Sequence, residues 1–377
     1  MRLKNKLFYE NLLMIKESGV KQMIDDSIYN IDLSGIKNNV LYIKNKYSDY
    51  KYYIGVVKAN AYGCGYLNTI KTMEEAGINF FAVTNIDEAR KVRKYTNLGI
   101  LIMSNIPKYY INECIKDNYS VMVDSINYLK GIGCTLNLKI HISINTGMNR
   151  YGISDIEEIN DIINYASLNG AIIEGIYTHL YYASNKDITM NQINKFYSIL
   201  ENIDKKDIPI VHVMNSEGLL YYDKFKYTTG IRIGDLLYGL TYLKELKSVY
   251  SLKSRISEIR HLKKGDTLGY DASYSAEKDE VIAVVQIGYN NGIIKKNTKR
   301  SVYINNKEYY IVGNICMCNL FVKIDESVNI NDVVYIIKDS KHVMDISKYL
   351  DTAPSEVTCI IDKDIKKEYE VEGAIYE

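Results

Sequence analysis

Short apolar runs rich in Ile, Val and Tyr recur from residue 53 onward, each separated from the next by a stretch whose apolar positions have helical spacing. They fall at residues 53–58, 80–84, 99–104, 120–124, 138–145, 172–179, 209–215 and 229–232. Eight such runs alternating with helices predict an α/β fold, a parallel (β/α)8 barrel of the TIM type, whose reactive groups gather at the C-terminal ends of the strands. Lys58, Asn145, His179, Asn215 and Arg232 stand at those ends. After about residue 246 the rhythm changes. Runs at 254–259, 280–287, 300–304, 307–312, 320–323 and 333–337 follow one another through short turns such as Asn305-Asn306, with one helix expected at 345–349. That pattern predicts a mainly antiparallel β domain. Ahead of the barrel, Leu7, Phe8, Leu12, Met14, Ile15 and Met23 suggest one amphipathic helix. Residues 27–33 alternate as a strand, and Ser34 is a candidate cap for a helix running to about residue 46. The expected domains are therefore a helical extension (1–25), a barrel (26–246, with 26–34 open to pairing with the C-terminal domain) and a β domain (247–377).

Composition narrows the partners. With 47 basic and 46 acidic residues in 377 and no block of one sign, neither nucleic acid nor a membrane surface is expected as the main partner. A small molecule suits the balance better. The six cysteines, at 64, 114, 134, 316, 318 and 359, include no Cys-x-x-Cys, so no metal site is expected and free thiols in a reducing compartment is the simpler reading. No apolar run approaches the roughly 20 residues of a spanning helix. The N-terminus lacks a signal-peptide layout, so a cytoplasmic location is expected.

The chemistry centres on Val56-Val57-Lys58-Ala59-Asn60-Ala61-Tyr62-Gly63-Cys64-Gly65. A buried strand there delivers one lysine to a glycine-containing loop. Such a lysine either snorkels to solvent or, where burial disfavours the charged form, serves as a nucleophile toward an aldehyde cofactor. Lys58-Ala-Asn-Ala-Tyr62-Gly63-x-Gly65 resembles the pyridoxal-phosphate lysine motif of alanine racemases. Asn215-Ser216-Glu217-Gly218 and Arg232-Ile-Gly234-Asp235, each open to ordinary helix capping when read alone, resemble that family's phosphate-binding turns. Gly230-Ile-Arg232-Ile-Gly-Asp-Leu-Leu-Tyr-Gly resembles its arginine motif. Thr146-Gly-Met-Asn-Arg150 resembles the segment whose arginine serves cofactor and substrate carboxylate. Gly265-Asp-Thr-Leu-Gly-Tyr270 resembles the segment carrying the second base.

The resemblance, from about residue 27 to 365, implies a pyridoxal 5′-phosphate enzyme that racemises a small amino acid, alanine by default, in the cytoplasm as a source of D-amino acid for peptidoglycan precursors. It places Lys58 and Tyr270 as the two catalytic bases. Lys58, Tyr62, Arg150, His179, Asn215, Ser216, Arg232, Gly234 and Asp235 become cofactor contacts; Arg150, Tyr289, Met317 and Lys363 become substrate contacts. It further implies a homodimer with shared active sites, because in the family the tyrosine comes from the other subunit. Two carbanion faces need two proton-transfer groups, and a phenol, which ionises at about pH 10 in water, needs help to act as one. An arginine at the ring nitrogen only donates, keeps that nitrogen unprotonated and weakens the electron sink. The family pattern is broken at Ser143 and Asn145, where many racemases carry a modified lysine and an aspartate, at Cys318, usually aspartate, and at Lys363, usually an entrance-narrowing tyrosine. These changes leave a serine-accepting or broad-specificity racemase as an alternative. A non-catalytic pyridoxal-phosphate carrier and a barrel-type decarboxylase are alternatives from other classes.

Overall fold

The computed structural model describes residues 27–376; the helix expected over residues 1–25 lies outside them. The described chain divides into two compact units, one running up to Ser34 and resuming at Ser248, the other spanning Gly35–Lys247. Strand β1 (Ile28–Asp32) belongs to the first of these.

The second unit is a closed barrel. Its strands are β2 (Tyr52–Val56), β3 (Phe80–Val83), β4 (Gly99–Ile102), β5 (Tyr119–Val123), β6 (Lys139–Ser143), β7 (Ile172–Tyr177), β8 (Ile210–His212) and β9 (Gly230–Ile233). Each pairs in parallel with the next, and β9 returns to β2 through Tyr52↔Gly230 to Gly55↔Ile233. Ile54, Leu101, Val121, Ile140, Ile142, Ile176, Ile231 and Ile233 are completely buried. Side chains of this size contribute about 1.5–3 kcal/mol each on burial, which is why β-branched runs settle here. The connecting helices begin on side-chain caps: Asn85, Ser125 and Asn185 each accept an amide at the start of a helix. Ser34 does not cap. The helix starts at Leu33, placing Ser34 in its first turn, where its Oγ accepts the Glu372 amide at 2.7 Å.

The other unit holds a nine-stranded sheet and, apart from it, a two-stranded hairpin. Its later strands are β10 (Tyr250–Leu262), the hairpin β11 (Thr267–Leu268) and β12 (Tyr274–Ser275), β13 (Glu280–Val285), β14 (Ser301–Ile304), β15 (Lys307–Val312), β16 (Leu320–Ile324), β17 (Val333–Ile337), β18 (Lys366–Val371) and β19 (Ala374–Tyr376). The order is β13-β16-β15-β14-β17-β10-β1-β18-β19, and β10 also pairs with β13, closing its first six members into a ring. Long β10 serves two neighbourhoods, with a register shift between Ile256 and Glu258 where it passes to β13. β1 runs antiparallel to β10 and parallel to β18.

Candidate active site

Beyond β2 the chain enters a turn that L-residues avoid. Ala59, Asn60, Ala61 and Tyr62 have φ of 52°, 57°, 53° and 55°, a left-handed conformation costing roughly 1–2 kcal/mol per residue. Backbone bonds hold it, from Ala61 N to Val57 O (3.0 Å), Gly63 N to Ala59 O (3.1 Å) and Gly65 N to Asn60 O (2.9 Å). The Ala59 N–H donates to Glu88 Oε1 at 2.6 Å, and the other Glu88 oxygen accepts from Thr84 N and Oγ1, both at 2.9 Å. Strain of this kind persists where the surroundings over-determine it, characteristically at functional sites. It sets half-buried Lys58 at the strand end, where its charge is felt by both His179 and Asp235.

Arg232, in β9, is 3% exposed. A charge buried so far costs several kcal/mol unless it is well bonded. Its Nη1 donates to His212 Nδ1 (2.8 Å) and His212 O (3.0 Å), and its Nη2 to Thr178 O (2.7 Å), His179 Nδ1 (3.2 Å) and Val213 O (3.3 Å). The guanidinium also lies over the Tyr177 ring, 5.0 Å from its centroid. Burial, with Tyr177 opposing, brings Arg232 down to about 10. Because a guanidinium only donates, both histidines accept at Nδ1 and carry their proton at Nε2. Burial, reinforced by the positive charges of Arg232, Arg150 and Lys58, pushes His179 down to about 3. Burial and then Arg232 and His141 hold His212 well below the ordinary imidazole range.

From His212 a hydrogen-bond column continues through the barrel interior. His212 Nε2 donates to His141 Nδ1 at 3.0 Å, and His141 Nε2 to Glu174 Oε2 at 3.2 Å. Glu174 also accepts from the Ser120 hydroxyl and pairs with Lys139 at 3.1 Å. Burial pushes this carboxyl up, but the His141 and Ser120 bonds and the Lys139 charge together overcome it and hold Glu174 at about 2. Gly175 makes the room: a Cβ there would collide with the His141 ring and approach Ile210 O to 2.9 Å.

The two glycine-containing turns meet. Ser216 Oγ accepts the amides of Gly234 (2.9 Å) and Leu236 (3.4 Å), so N–H groups of the turn after β9 converge on the turn after β8. Asn215 orders the latter, accepting the Gly218 amide at 2.8 Å and donating to Leu180 O at 3.0 Å. A Cβ at Gly234 would strike the Tyr62 hydroxyl. Tyr62 is itself stacked on Tyr238, centroids 4.5 Å apart, and Tyr238 is anchored to Val56 O at 3.0 Å. Asp235 sits in the same turn with its Oδ1 buried and without a hydrogen-bond partner among the described residues.

Arg150 is exposed, its guanidinium 6.0 Å from the Tyr151 ring centroid, and near enough to press on His179, Tyr177 and Arg232. Its loop is braced by Asn145, whose Oδ1 accepts the amides of Gly147 (3.0 Å) and Asn149 (3.1 Å) while Nδ2 donates to Asn149 Oδ1 (3.0 Å). Ser143 is buried and hydrogen-bonds Tyr177. Both departures from the expected pattern thus have structural work.

The β unit gathers its own four candidates. Tyr270, 70% exposed, opens a turn whose carbonyl accepts from Asn314 Nδ2 at 3.5 Å. Asn314 leads into Cys316-Met317-Cys318. The amide of Tyr289 donates to Cys316 O (3.0 Å) and that of Asn290 to Met317 O (2.9 Å). Gly292, closing the Tyr289 turn, lies so close to Ile360 O and Ile361 that a Cβ could not be inserted. The Asp362 amide reaches Asn291 O at 3.3 Å, placing exposed Lys363 beside this turn. None of the six cysteines, all among the described residues, is in a disulfide, and among the described residues no group of three or more His, Cys, Asp or Glu is placed to hold a metal.

Sequence reasoning missed Glu88, His141, Glu174 and His212. Glu88 looks like an ordinary first-turn acid of the helix Ile86–Arg93, His141 and Glu174 sit inside strands rather than at their ends, and His212, the last residue of β8, falls in the middle of the apolar run 209–215. Ionisable side chains in three β-branched runs, with Gly175 opposite His141, were the available signal.

Residues 31–242 match the family described as Alanine racemase, N-terminal domain, and residues 249–369 match Alanine racemase, C-terminal domain. The alanine racemase of Borreliella burgdorferi (strain ZS7) is 32% identical over 361 residues, covering 90% of this chain and 96% of that protein. The Listeria innocua alanine racemase is 32% identical over 357 residues with the same coverage. Among solved structures, alanine racemase from E. faecalis agrees with a TM-score of 0.87 at 28% identity, covering 91% of this chain and 98% of that one. The Bacillus anthracis alanine racemase with bound L-Ala-P gives 0.85 at 26% identity, covering 94% and 98%. Both units are matched, in order and along most of their length, and on that ground the chain belongs to the alanine racemase family.

Proposed function

We propose that this protein is an isomerase that interconverts L- and D-alanine with pyridoxal 5′-phosphate as cofactor. The observation that carries the reading is the buried Arg232, a donor-only group fixed among Thr178, Val213, His179 and His212 at the end of the barrel where Lys58 also stands. The residues present fit the cofactor. Lys58 would hold its aldehyde carbon; Ser216, Tyr62 and the amides around Gly234 and Asp235 would hold its phosphate; Arg232 would face its ring nitrogen, with His179 and Arg150 beside it. When bound, the cofactor withdraws electrons from the substrate's α-carbon and makes the α-proton removable.

The chain supplies the rest. Arg232, unable to accept a hydrogen bond, withholds a proton from the ring nitrogen and so limits how long negative charge is stored, favouring return of the proton to carbon. Arg150 offers a planar fork to the substrate carboxylate. Lys58 Nζ serves one face of the α-carbon, and Tyr270 of the partner subunit serves the other through its phenolic oxygen, with the His179 Nε2–H available to stabilise the phenoxide. We place Lys58 on the D-face and Tyr270 on the L-face. This arrangement makes the enzyme a homodimer with shared sites, acting in the cytoplasm as a source of D-alanine for peptidoglycan precursors. No helix among the described residues is long and apolar enough to cross a membrane. Tyr270 supports the sharing: an aromatic side chain 70% exposed on the β unit is suited to enter a neighbour's site.

The carrier reading gains no support, because the second family match covers a whole further domain. The decarboxylase reading gains none from relatives that match as racemases along nearly their whole length. The test is incubation of L-alanine with protein and cofactor, followed by chiral chromatography. Formation of D-alanine supports the proposal; unchanged L-alanine, or release of carbon dioxide, overturns it.

A further inference from the structure

The cradle contains a group that looks wrong for it. Asp235 follows Gly234 directly, and its own carbonyl is committed to the turn, accepting Tyr238 N at 3.1 Å and Leu240 N at 3.0 Å. The side chain is left with Oδ1 buried and unpartnered among the described residues, beside amides that converge on Ser216. A carboxylate there would repel a bound phosphate, and a buried acceptor without a donor is costly by itself. Two ionisable groups face it. Lys58, from the left-handed turn, favours its charged form, and Glu217, from the turn after β8, opposes it. Glu217 is fixed in that place by the amides of Ala183 (3.4 Å) and Ser184 (3.2 Å). Tyr62 adds a neutral hydroxyl on the far side of Gly234.

We propose that the Asp235 side chain is a proton-accepting positioning residue of the phosphate cradle: as a phosphate dianion arrives, the carboxyl takes one proton from solvent and then donates it to a phosphate oxygen. The inference rests on the reading that this cradle holds pyridoxal 5′-phosphate. Burial already pushes the Asp235 carboxyl up. A dianion nearby pushes it further in the same direction, while Lys58, its stabilising neighbour, becomes engaged with the cofactor. At Asp235 itself one proton is gained from solvent and only its O–H bond is new; the bond between Lys58 and the aldehyde, with its loss of water, is a separate event. Cofactor binding is then linked to pH, weakening as pH rises through the range in which the free carboxyl is ionised.

Calorimetric titration of pyridoxal 5′-phosphate into the wild-type protein and into Asp235→Asn, at pH 8 in two buffers of different ionisation enthalpy, measures the protons taken up. Comparing the two proteins cancels whatever Lys58 contributes. The wild type should take up about one proton more per cofactor than the variant, and the variant, a neutral isostere, should bind at least about tenfold more tightly at pH 8. Equal uptake with cofactor bound to both overturns this inference alone. Failure of the wild type to bind any cofactor overturns the cofactor reading with it. Should Asp235→Asn fail to fold, Asp235→Ser gives the same comparison of uptake.

Discussion

Arg232 in the barrel is 3% exposed and donates five hydrogen bonds, whereas Tyr270 in the β unit is 70% exposed on a turn tied down through Asn314. The contrast extends to their neighbours. Around Arg232 each tautomer is dictated by the next group along, through His212 and His141 to Glu174. Around Tyr270, Met317 and Lys363 the backbone is organised, by bonds among four loops that include the Tyr289 turn, while the side chains face solvent. The barrel has arranged its charges on folding; the β unit presents exposed groups, which in the proposed dimer would act on a second surface. Catalysis by preorganised electrostatics suits the first kind of construction, and assembly between protomers suits the second.

The largest break in this comparison comes from Lys58→Ala, which removes the amine from the buried half. It should lower racemisation by at least about a thousandfold and abolish the cofactor absorbance band that borohydride reduces. Tyr270→Phe attacks the exposed half and should separate the two effects. The hydroxyl is not part of any packed core, so the cofactor band and the unfolding midpoint should stay while kcat falls by about 10²–10⁴. Loss of the band in Tyr270→Phe would mean that the two halves are not independent.

The buried column sets the acid limit of stability. Glu174 is held at about 2, below its ordinary 4.5, so the stability it contributes is complete above about pH 4.5 and is lost as pH falls toward 2. His179 and His212 are also depressed, from 6.5, and stay neutral in the fold. Their contribution is complete above about pH 6.5 and declines below it, for His179 down to about 3. Urea midpoints should therefore fall steadily from pH 7 to pH 3. Glu174→Gln should cost on the order of 3 kcal/mol at pH 7 and flatten the part of the curve below pH 4.5. The smallest effect expected is that of Glu88→Ala, which releases Ala59 and Thr84 from one carboxylate. The left-handed turn should loosen by about 1–3 kcal/mol, seen as roughly tenfold weaker cofactor binding with an unchanged β unit.

Much of this was legible in the sequence. Each barrel strand lies within a few residues of its apolar run, because parallel strands buried on both faces advertise themselves as β-branched stretches. The β domain followed from the loss of helical spacing after residue 246. What escaped has physical reasons. β18, Lys366-Lys-Glu-Tyr-Glu-Val, carries too many charges to read as a strand, yet it pairs with β1 across more than three hundred residues of chain. The turn at 59–62 uses a conformation that propensity argues against, and only long-range contacts such as Glu88 stabilise it. The candidate residues at strand ends were singled out because strand ends are where barrels place chemistry. His141 and Glu174 were missed because a polar column inside a barrel departs from the usual apolar filling.

The central claim, that Lys58 of one protomer works with the phenol of another, is tested most directly by mixing two inactive variants. Lys58→Ala and Tyr270→Phe are unfolded together and refolded in equal amounts with cofactor, and alanine racemisation is measured. Random pairing should restore roughly a quarter of wild-type activity, because about half the dimers are hybrids and each hybrid holds one intact site. A mixture no more active than its two components would contradict the account.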